Sequence, residues 1–202
     1  MGVTLDEIKK LKELTGIGLT QAKVALVDAE GNFDEALKVL REKGLSKAEK
    51  RGEREASEGL VESYVHDGRI GALVEINCET SFVARTDEFK TLAHELAMQV
   101  AAMNPKWTTM DDVPSEEIAR KKDEFEVAFD NDAKNAKKPT EIREKIIDGQ
   151  LKKYFSELVL TEQTYWKDES KTIGILVRET AAKVGENVVV RHFARLELGV
   201  SE

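Results

Sequence analysis

Residues 60–76 read LVESYVHDGRIGALVEI, and this pattern predicts an antiparallel β-hairpin. Both arms, residues 60–66 and 69–76, have the composition of β-strands. Asp67-Gly68 lies between the arms and favours a type I′ turn, because both central residues of that turn need a positive φ. An alternating run from Val188 to Leu198 predicts a third strand, so we expect a small antiparallel sheet.

A long amphipathic helix is predicted to follow the hairpin and to cover the sheet. Apolar residues recur at the 3.6-residue helical period from Phe89 to Met103, and Asp87 is the expected N-cap. Two further amphipathic stretches, joined by the polar residues 130–139, predict an antiparallel helical hairpin inserted at about residues 115–160. The apolar seam of its second helix is expected at Ile142, Ile146, Tyr154 and Leu158.

Three short amphipathic helices are predicted before Gly44. Thr4 and Glu7 have the spacing of a capping box at the start of the first helix. Glycine-containing breaks at residues 16–18 and 31–32 separate the three helices, and the third is expected to end at Gly44. So few apolar residues make a marginally stable unit, which is typical of a docking module.

These patterns predict an α+β fold with three parts. Residues 1–43 form the amino-terminal three-helix module, and the charged residues 44–58 form a linker with almost nothing to bury. Residues 59–202 form the core domain, in which helices cover a small antiparallel sheet and the helical hairpin at 115–160 is an insertion.

Composition excludes several classes of protein. The 202 residues carry a formal net charge of −8, which argues against a dedicated nucleic-acid binder. No apolar run approaches the ~18 residues of a membrane span, and the first residues resemble neither a signal nor a transit peptide, so the cytoplasm is the expected location. One cysteine, Cys78, permits neither an internal disulfide nor a cysteine-rich metal site.

Motifs for catalysis and cofactor binding are missing from the sequence. Gly16-Ile17-Gly18 lacks the third glycine and the preceding strand of a dinucleotide site, and no P-loop or metalloprotease motif occurs. His94 is expected to be solvated, whereas His192 is expected on the apolar face of the third strand. We therefore expect no enzyme activity, no catalytic residues, no cofactor and no bound metal.

Residues 77–85, NCETSFVAR, connect the second strand to the long helix and contain a large apolar residue, Phe82. One interpretation is that Phe82 fills the core where strand and helix meet. The other is that Phe82 is an exposed anchor that enters a pocket of a partner, as interface hot spots do. The residues alone leave both interpretations open.

Several motifs, in the same order along the chain, resemble the elongation factor Ts family. They are LTGIGLTQAK at 14–23, HDGRIGALVEINCETSFVAR at 66–85, GQLKKY at 149–154 and GENVVVR at 185–191. The resemblance covers nearly the whole chain and implies that the amino-terminal module is similar to ubiquitin-associated (UBA-like) domains. It also implies a guanine-nucleotide exchange factor that binds elongation factor Tu, both GDP-bound and nucleotide-free, and promotes GDP release.

The resemblance further implies which residues contact that partner. A wedge that disturbs the nucleotide site is expected at Thr80, Ser81, Phe82 and Val83. The other expected contacts are Lys23 with the turn at 18–20, His66, Val184 and Gly185. From the residues alone, His66 is equally a polar residue beside a turn, and Val184 and Gly185 are equally a core residue and a turn glycine.

Three features depart from the usual family pattern, one of which is Thr164-Tyr165-Trp166 where the family usually has Pro-Phe-Val. Ser81 stands where the family usually has Asp before the phenylalanine, so the role of that carboxylate is in question. The chain has a single copy of the strand–helix core half, whereas long members have two, and short members can complete the core by pairing. The resemblance therefore makes a homodimer plausible. The alternative function is a non-enzymatic UBA-type binding adaptor, which leaves residues 77–85 without a role.

Overall fold

The computed structural model describes residues 3–132 and 139–200, and it has the expected α+β fold. The amino-terminal elements are α1 (Leu5–Thr15), α2 (Leu19–Asp28) and α3 (Phe33–Glu49). The sheet and its first helices are β1 (Glu58–His66), β2 (Ile70–Cys78), α4 (Ser81–Ala84) and α5 (Asp87–Met103). The remaining elements are α6 (Ser115–Asn131), α7 (Thr140–Leu158), β3 (Thr164–Tyr165), β4 (Asp168–Thr172), α8 (Ile173–Val184) and β5 (Val188–Glu197).

The predicted hairpin is formed by β1 and β2, which pair antiparallel. Asp67 and Gly68 have φ values of 49° and 65°, as a type I′ turn needs, and the Arg69 N–H donates to the His66 carbonyl at 2.9 Å. The ladder pairs His66 with Ile70, so three residues rather than two separate the paired positions. The turn was therefore predicted correctly and the loop length was not.

Helices α5 and α8 pack on one face of the three-stranded sheet, whose strand order is β1-β2-β5. Alternate residues of β2 point into this core, and Phe89 and Leu96 of α5 are completely buried against them. The predicted N-cap of α5 was wrong by one residue. Thr86 accepts the Phe89 N–H through its hydroxyl, and Asp87 is the first helical residue.

A β-bulge changes which side chains of β5 face the core. Val190 pairs with Ile76 and His192 with Glu75, so Arg191 is an extra residue on this strand. One extra residue moves all later side chains to the opposite face. His192 therefore lies with Ala194 and Leu196 on the sheet face that α5 and α8 leave uncovered, 3.3 Å from Glu75. The prediction that it shares the core face with Val188 and Val190 was wrong.

The amino-terminal helices form as expected, but the third is longer than predicted. Thr4 and Glu7 make the capping box of α1, whereas α3 continues through Gly44 to Glu49. Residues 44–58 are also not free of core contacts. Ala48 and Ala56 are buried, and Arg191 donates to the Ala56 carbonyl at 3.1 Å. The expected linker is thus partly helical and is attached to the core domain.

Helices α6 and α7 pack as the predicted antiparallel hairpin, here called the arm. Lys121 lies over the Tyr154 ring. Arg143, near the start of α7, reaches Asp130, near the end of α6, at 3.1 Å. The seam of α7 is rotated from the predicted positions, because Ile147 and Phe155 are its buried residues. The middle of the polar connection, residues 133–138, lies outside the described residues.

Within residues 3–132 and 139–200, no helix has both the length and the apolar character needed to cross a bilayer.

Candidate partner-binding site

The short helix α4 presents Phe82 to solvent. The Phe82 side chain is 82% exposed, the largest fraction among the exposed large apolar residues described. Its neighbour Ala84 is buried, and Val83 is partly buried against the core. A helical turn directs consecutive side chains to different sides, so Val83 and Ala84 attach the turn and Phe82 projects. The interpretation of Phe82 as a core residue is therefore wrong.

Thr80 caps α4 and connects it to a distant loop. The Thr80 hydroxyl accepts the Val83 N–H at 3.5 Å. The same hydroxyl donates to Glu186 Oε1 at 2.6 Å, and the Thr80 N–H donates to Glu186 Oε2 at 3.0 Å. Both carboxylate oxygens of Glu186 are thus used by one residue that is 106 positions away in sequence. Hydrogen bonds to a charged acceptor are among the stronger ones in proteins.

A second hydrogen bond joins the same two loops, but its donor lies in the loop after α8 and its acceptor lies just after β2. The Asn187 N–H donates to Glu79 Oε1 at 2.6 Å. The Asn187 side-chain amide donates to the carbonyls of Gly52 and Arg54 at 3.2 and 2.7 Å. The end of β2, the loop after α8 and the segment after α3 are therefore held together at the start of α4.

Cys78 is the last residue of β2, next to this junction, and its buried thiol is expected to be unreactive. Its side chain is buried, and the thiol donates to the Thr80 carbonyl at 3.2 Å. Burial, together with the nearby Glu186 carboxylate, raises the pKa of the Cys78 thiol. A protonated, buried thiol is a poor nucleophile, so Cys78 acts as a packing residue.

The turn between α1 and α2 and the end of α8 border one open cleft of about 590 Å³. Gly18 and Thr20 line one side, and Val184 and Gly185 line the other. Gly185 ends α8 with φ at 80° and directly precedes Glu186, so this side of the cleft is joined to α4. Lys23 lies farther along α2 and is exposed. The structure thus places Val184, Gly185 and the turn at 18–20 around one cleft, and Glu186 connects that cleft to the expected wedge through Thr80.

His66 lies at the other end of the hairpin. It pairs with Ile70 near the turn, whereas Cys78, at the wedge end of β2, pairs with Glu58. A strand of nine residues spans roughly 26 Å, so His66 is well separated from α4. The Tyr64 hydroxyl and His66 Nδ1 are 3.0 Å apart, and both residues line a small apolar pocket. His66 therefore belongs to a surface that is separate from the surface around α4.

Three residues that join the end of β2 to the loop after α8, Glu79, Glu186 and Asn187, were not among the predicted contact residues. The motifs at 66–85 and 185–191 contain them, yet nothing in either motif indicates that one loop binds the other. In the described part of the chain, no cluster of three or more histidine, cysteine or acidic residues could hold a metal ion.

Comparisons with known proteins agree with this architecture. The family model described as elongation factor TS matches residues 5–200. An elongation factor Ts of Herpetosiphon aurantiacus is 47% identical over 200 residues, which is 98% of this chain and 99% of the relative. Its counterparts from Thermotoga neapolitana and Coprothermobacter proteolyticus are 48% and 46% identical over 200 residues. Each of these alignments covers 98% of this chain, with 98% and 100% of the relatives covered respectively.

Proposed function

Because the chain belongs to the elongation factor Ts family, and so to the factors of translation elongation, we propose that it binds elongation factor Tu and promotes GDP release. The observation that carries the proposal is the exposure of Phe82 on a short helix whose ends are held by hydrogen bonds. A large apolar side chain in that position is suited to enter a pocket of a partner protein, because its burial there stabilises the complex.

Exchange follows from thermodynamic linkage. A protein that binds the nucleotide-free partner more tightly than the GDP-bound partner must weaken GDP binding by the same factor. The proposed differential contact is Phe82, pushed between helices of the nucleotide domain, with Ser81 forming a hydrogen bond beside it. Thr80 and Val83 fix the direction in which Phe82 projects.

Phe82 alone is not sufficient for a large effect. Burial of one phenylalanine contributes about 1.5–3 kcal/mol, and about 1.4 kcal/mol corresponds to a tenfold change. Burial of Phe82 therefore accounts for a weakening of GDP binding by roughly tenfold to a hundredfold. The cleft between Gly18 and Gly185, together with Lys23, supplies the second proposed contact. His66 supplies a third that is remote from the nucleotide.

A homodimer is part of the proposal, and it is supported by the uncovered face of the sheet. Four large apolar side chains on this face are half exposed or more: Val61, Val65, Leu73 and Leu196. They come from all three strands and lie on one face by the observed register. A second copy that places the same face against this one would cover them and form two packed sheets.

The protein is proposed to change nucleotide occupancy without making or breaking a covalent bond. It acts with elongation factor Tu in the cytoplasm, and it needs no cofactor of its own. An adaptor that uses only the amino-terminal module would bind a partner equally well, but it would leave the exposed Phe82 without a contact.

The test is the release of fluorescent GDP from elongation factor Tu, with and without this protein. The proposal predicts release that accelerates with concentration and then saturates. Binding to elongation factor Tu with no acceleration of release would contradict it and would favour the adaptor. A parallel titration of the isolated protein with GDP is expected to show no binding, since no phosphate-binding loop is present in the sequence.

A further inference from the structure

The helix that carries Phe82 is too short to hold its own orientation. Helix α4 has four residues, and an isolated turn of helix is unstable because nucleation costs more than its first hydrogen bond returns. The direction of Phe82 therefore depends on the packing of Val83 and Ala84 and on the contacts at the ends of α4. At the carboxyl end the chain continues into the buried helix α5, whereas at the amino end the contact is made by Thr80 with Glu186.

Glu186 sets the geometry of that amino-terminal contact. A hydroxyl has one proton to donate, and the Thr80 proton goes to Glu186 Oε1, which leaves lone pairs free for the Val83 N–H. The second carboxylate oxygen accepts the Thr80 N–H at 3.0 Å. The carboxylate thus fixes both the backbone and the side chain of the capping residue.

The position of Glu186 is itself fixed by α8. Gly185 ends this helix in the left-handed conformation, and the next residues turn toward β5. Asn187 is held by Glu79 at 2.6 Å, so the Glu186 backbone lies between two anchored neighbours. Lys183, in the last turn of α8, is in backbone contact with Gly16 of the amino-terminal module.

We propose that Glu186 is a positioning residue for nucleotide exchange, which acts through Thr80 to hold Phe82 in the direction needed to enter the partner. This inference rests on the proposed function. Glu186 does not itself touch the nucleotide site of the partner. It connects the α8 side of the cleft to the wedge. A carboxylate is required, because neither an amide nor a hydroxyl offers two charged oxygens that accept both Thr80 hydrogen bonds.

The variants that test the inference keep the shape of the contact. Glu186→Gln leaves one acceptor oxygen and places an amide donor where the other stood, and Thr80→Val removes the hydroxyl. Each is expected to lower the saturating rate of GDP release by about tenfold, while the half-saturating concentration stays within about threefold. Thr80→Ser keeps the hydroxyl and is expected to release GDP faster than Thr80→Val. Glu179→Ala, which removes an α8 glutamate that pairs with Lys171 instead, is the control for loss of charge.

Coupling to Phe82 separates positioning from general stability. If Glu186 acts only through Phe82, the pair Phe82→Ala and Glu186→Gln will release GDP no more slowly than Phe82→Ala alone. Additive losses, or an unchanged rate for folded Glu186→Gln, would overturn the inference. If Phe82→Ala itself leaves exchange unchanged, the proposed function fails, so the two failures are distinguishable.

Discussion

Gly16 and Lys183 approach so closely that no side chain fits between their backbones. A Cβ atom added to Gly16 would lie 2.7 Å from the Lys183 carbonyl oxygen and 3.0 Å from its Cα. Gly16 also has a φ of 70° as the C-cap of α1, a conformation that residues with a side chain adopt at a cost. A Cβ atom added to Gly44 would lie 3.2 Å from the Ala182 Cβ, which marks a second close approach. The amino-terminal module therefore packs directly against the end of α8.

The first prediction concerns this contact between Gly16 and Lys183. Gly16→Ala is expected to destabilise the protein by about 2 kcal/mol or more, because a left-handed alanine costs about 1–2 kcal/mol and the clash adds to it. Gly185→Ala is the matched control, since Gly185 is also a left-handed helix C-cap. Among the described residues, none beyond its chain neighbours has an atom within 4 Å of a Cβ added there. Urea unfolding measures both. Equal losses would mean that the contact with Lys183 contributes nothing.

The second prediction concerns the arm. Replacing residues 124–150 by a short Gly-Ser turn is expected to leave GDP release within about twofold, because distant, independent sites affect function separately. The cut keeps the apolar cluster at the base of the arm, which includes Trp107, Phe155 and Val159. Loss of the cooperative thermal transition would show instead that the outer arm is needed for the core to fold.

The third prediction concerns self-association. Leu73 lies in the centre of the open sheet face and is 50% exposed, opposite Ser63 and Ala194. Leu73→Glu is expected to convert a dimer to a monomer in sedimentation experiments, because a charge in a closed apolar interface is strongly unfavourable. Val127→Glu, at an exposed valine of α6, is expected to remain dimeric. An unaltered protein that sediments as a monomer at micromolar concentration would contradict the proposed dimer.

The fourth prediction concerns the residue beside the wedge. Ser81 is the first residue of α4, where a carboxylate interacts favourably with the helix amino terminus. Ser81→Asp is expected to accelerate GDP release a few-fold, with Ser81→Asn as the uncharged control of similar shape. Equal rates for the natural chain and both variants would mean that the charge at this position is dispensable and that Phe82 acts without it.

Local sequence signals predicted most of the elements and some of their ends. The capping box of Thr4 and Glu7, the Asp67-Gly68 turn and the helical period after Phe89 all depend on neighbouring residues, and all three are present. The face of His192 was mispredicted because the bulge at Arg191 forms only when β5 pairs with β2. Strict alternation along one strand contains no information about such a bulge.

The candidate site was predicted only where the family resemblance reached it. The sequence pattern left the exposure of Phe82 open, because a helical turn of four residues has too few positions to show periodicity. The contact of Glu186 with Thr80 spans 106 residues and depends on how two loops meet at one end of the sheet. The attachment of residues 44–58 was missed for the same reason, since Asn187 and Arg191 approach this segment from the far end of the chain.

The proposed acceleration of GDP release depends most directly on Phe82, and one variant tests this dependence. Phe82→Ala is expected to lower the rate of GDP release from elongation factor Tu at least tenfold, while the melting temperature barely changes, because an exposed side chain contributes little packing. Phe89→Ala provides the contrast, since Phe89 is completely buried and its truncation should cost about 3–5 kcal/mol. An unchanged release rate for Phe82→Ala, or a loss of stability as large as that of Phe89→Ala, would contradict the account.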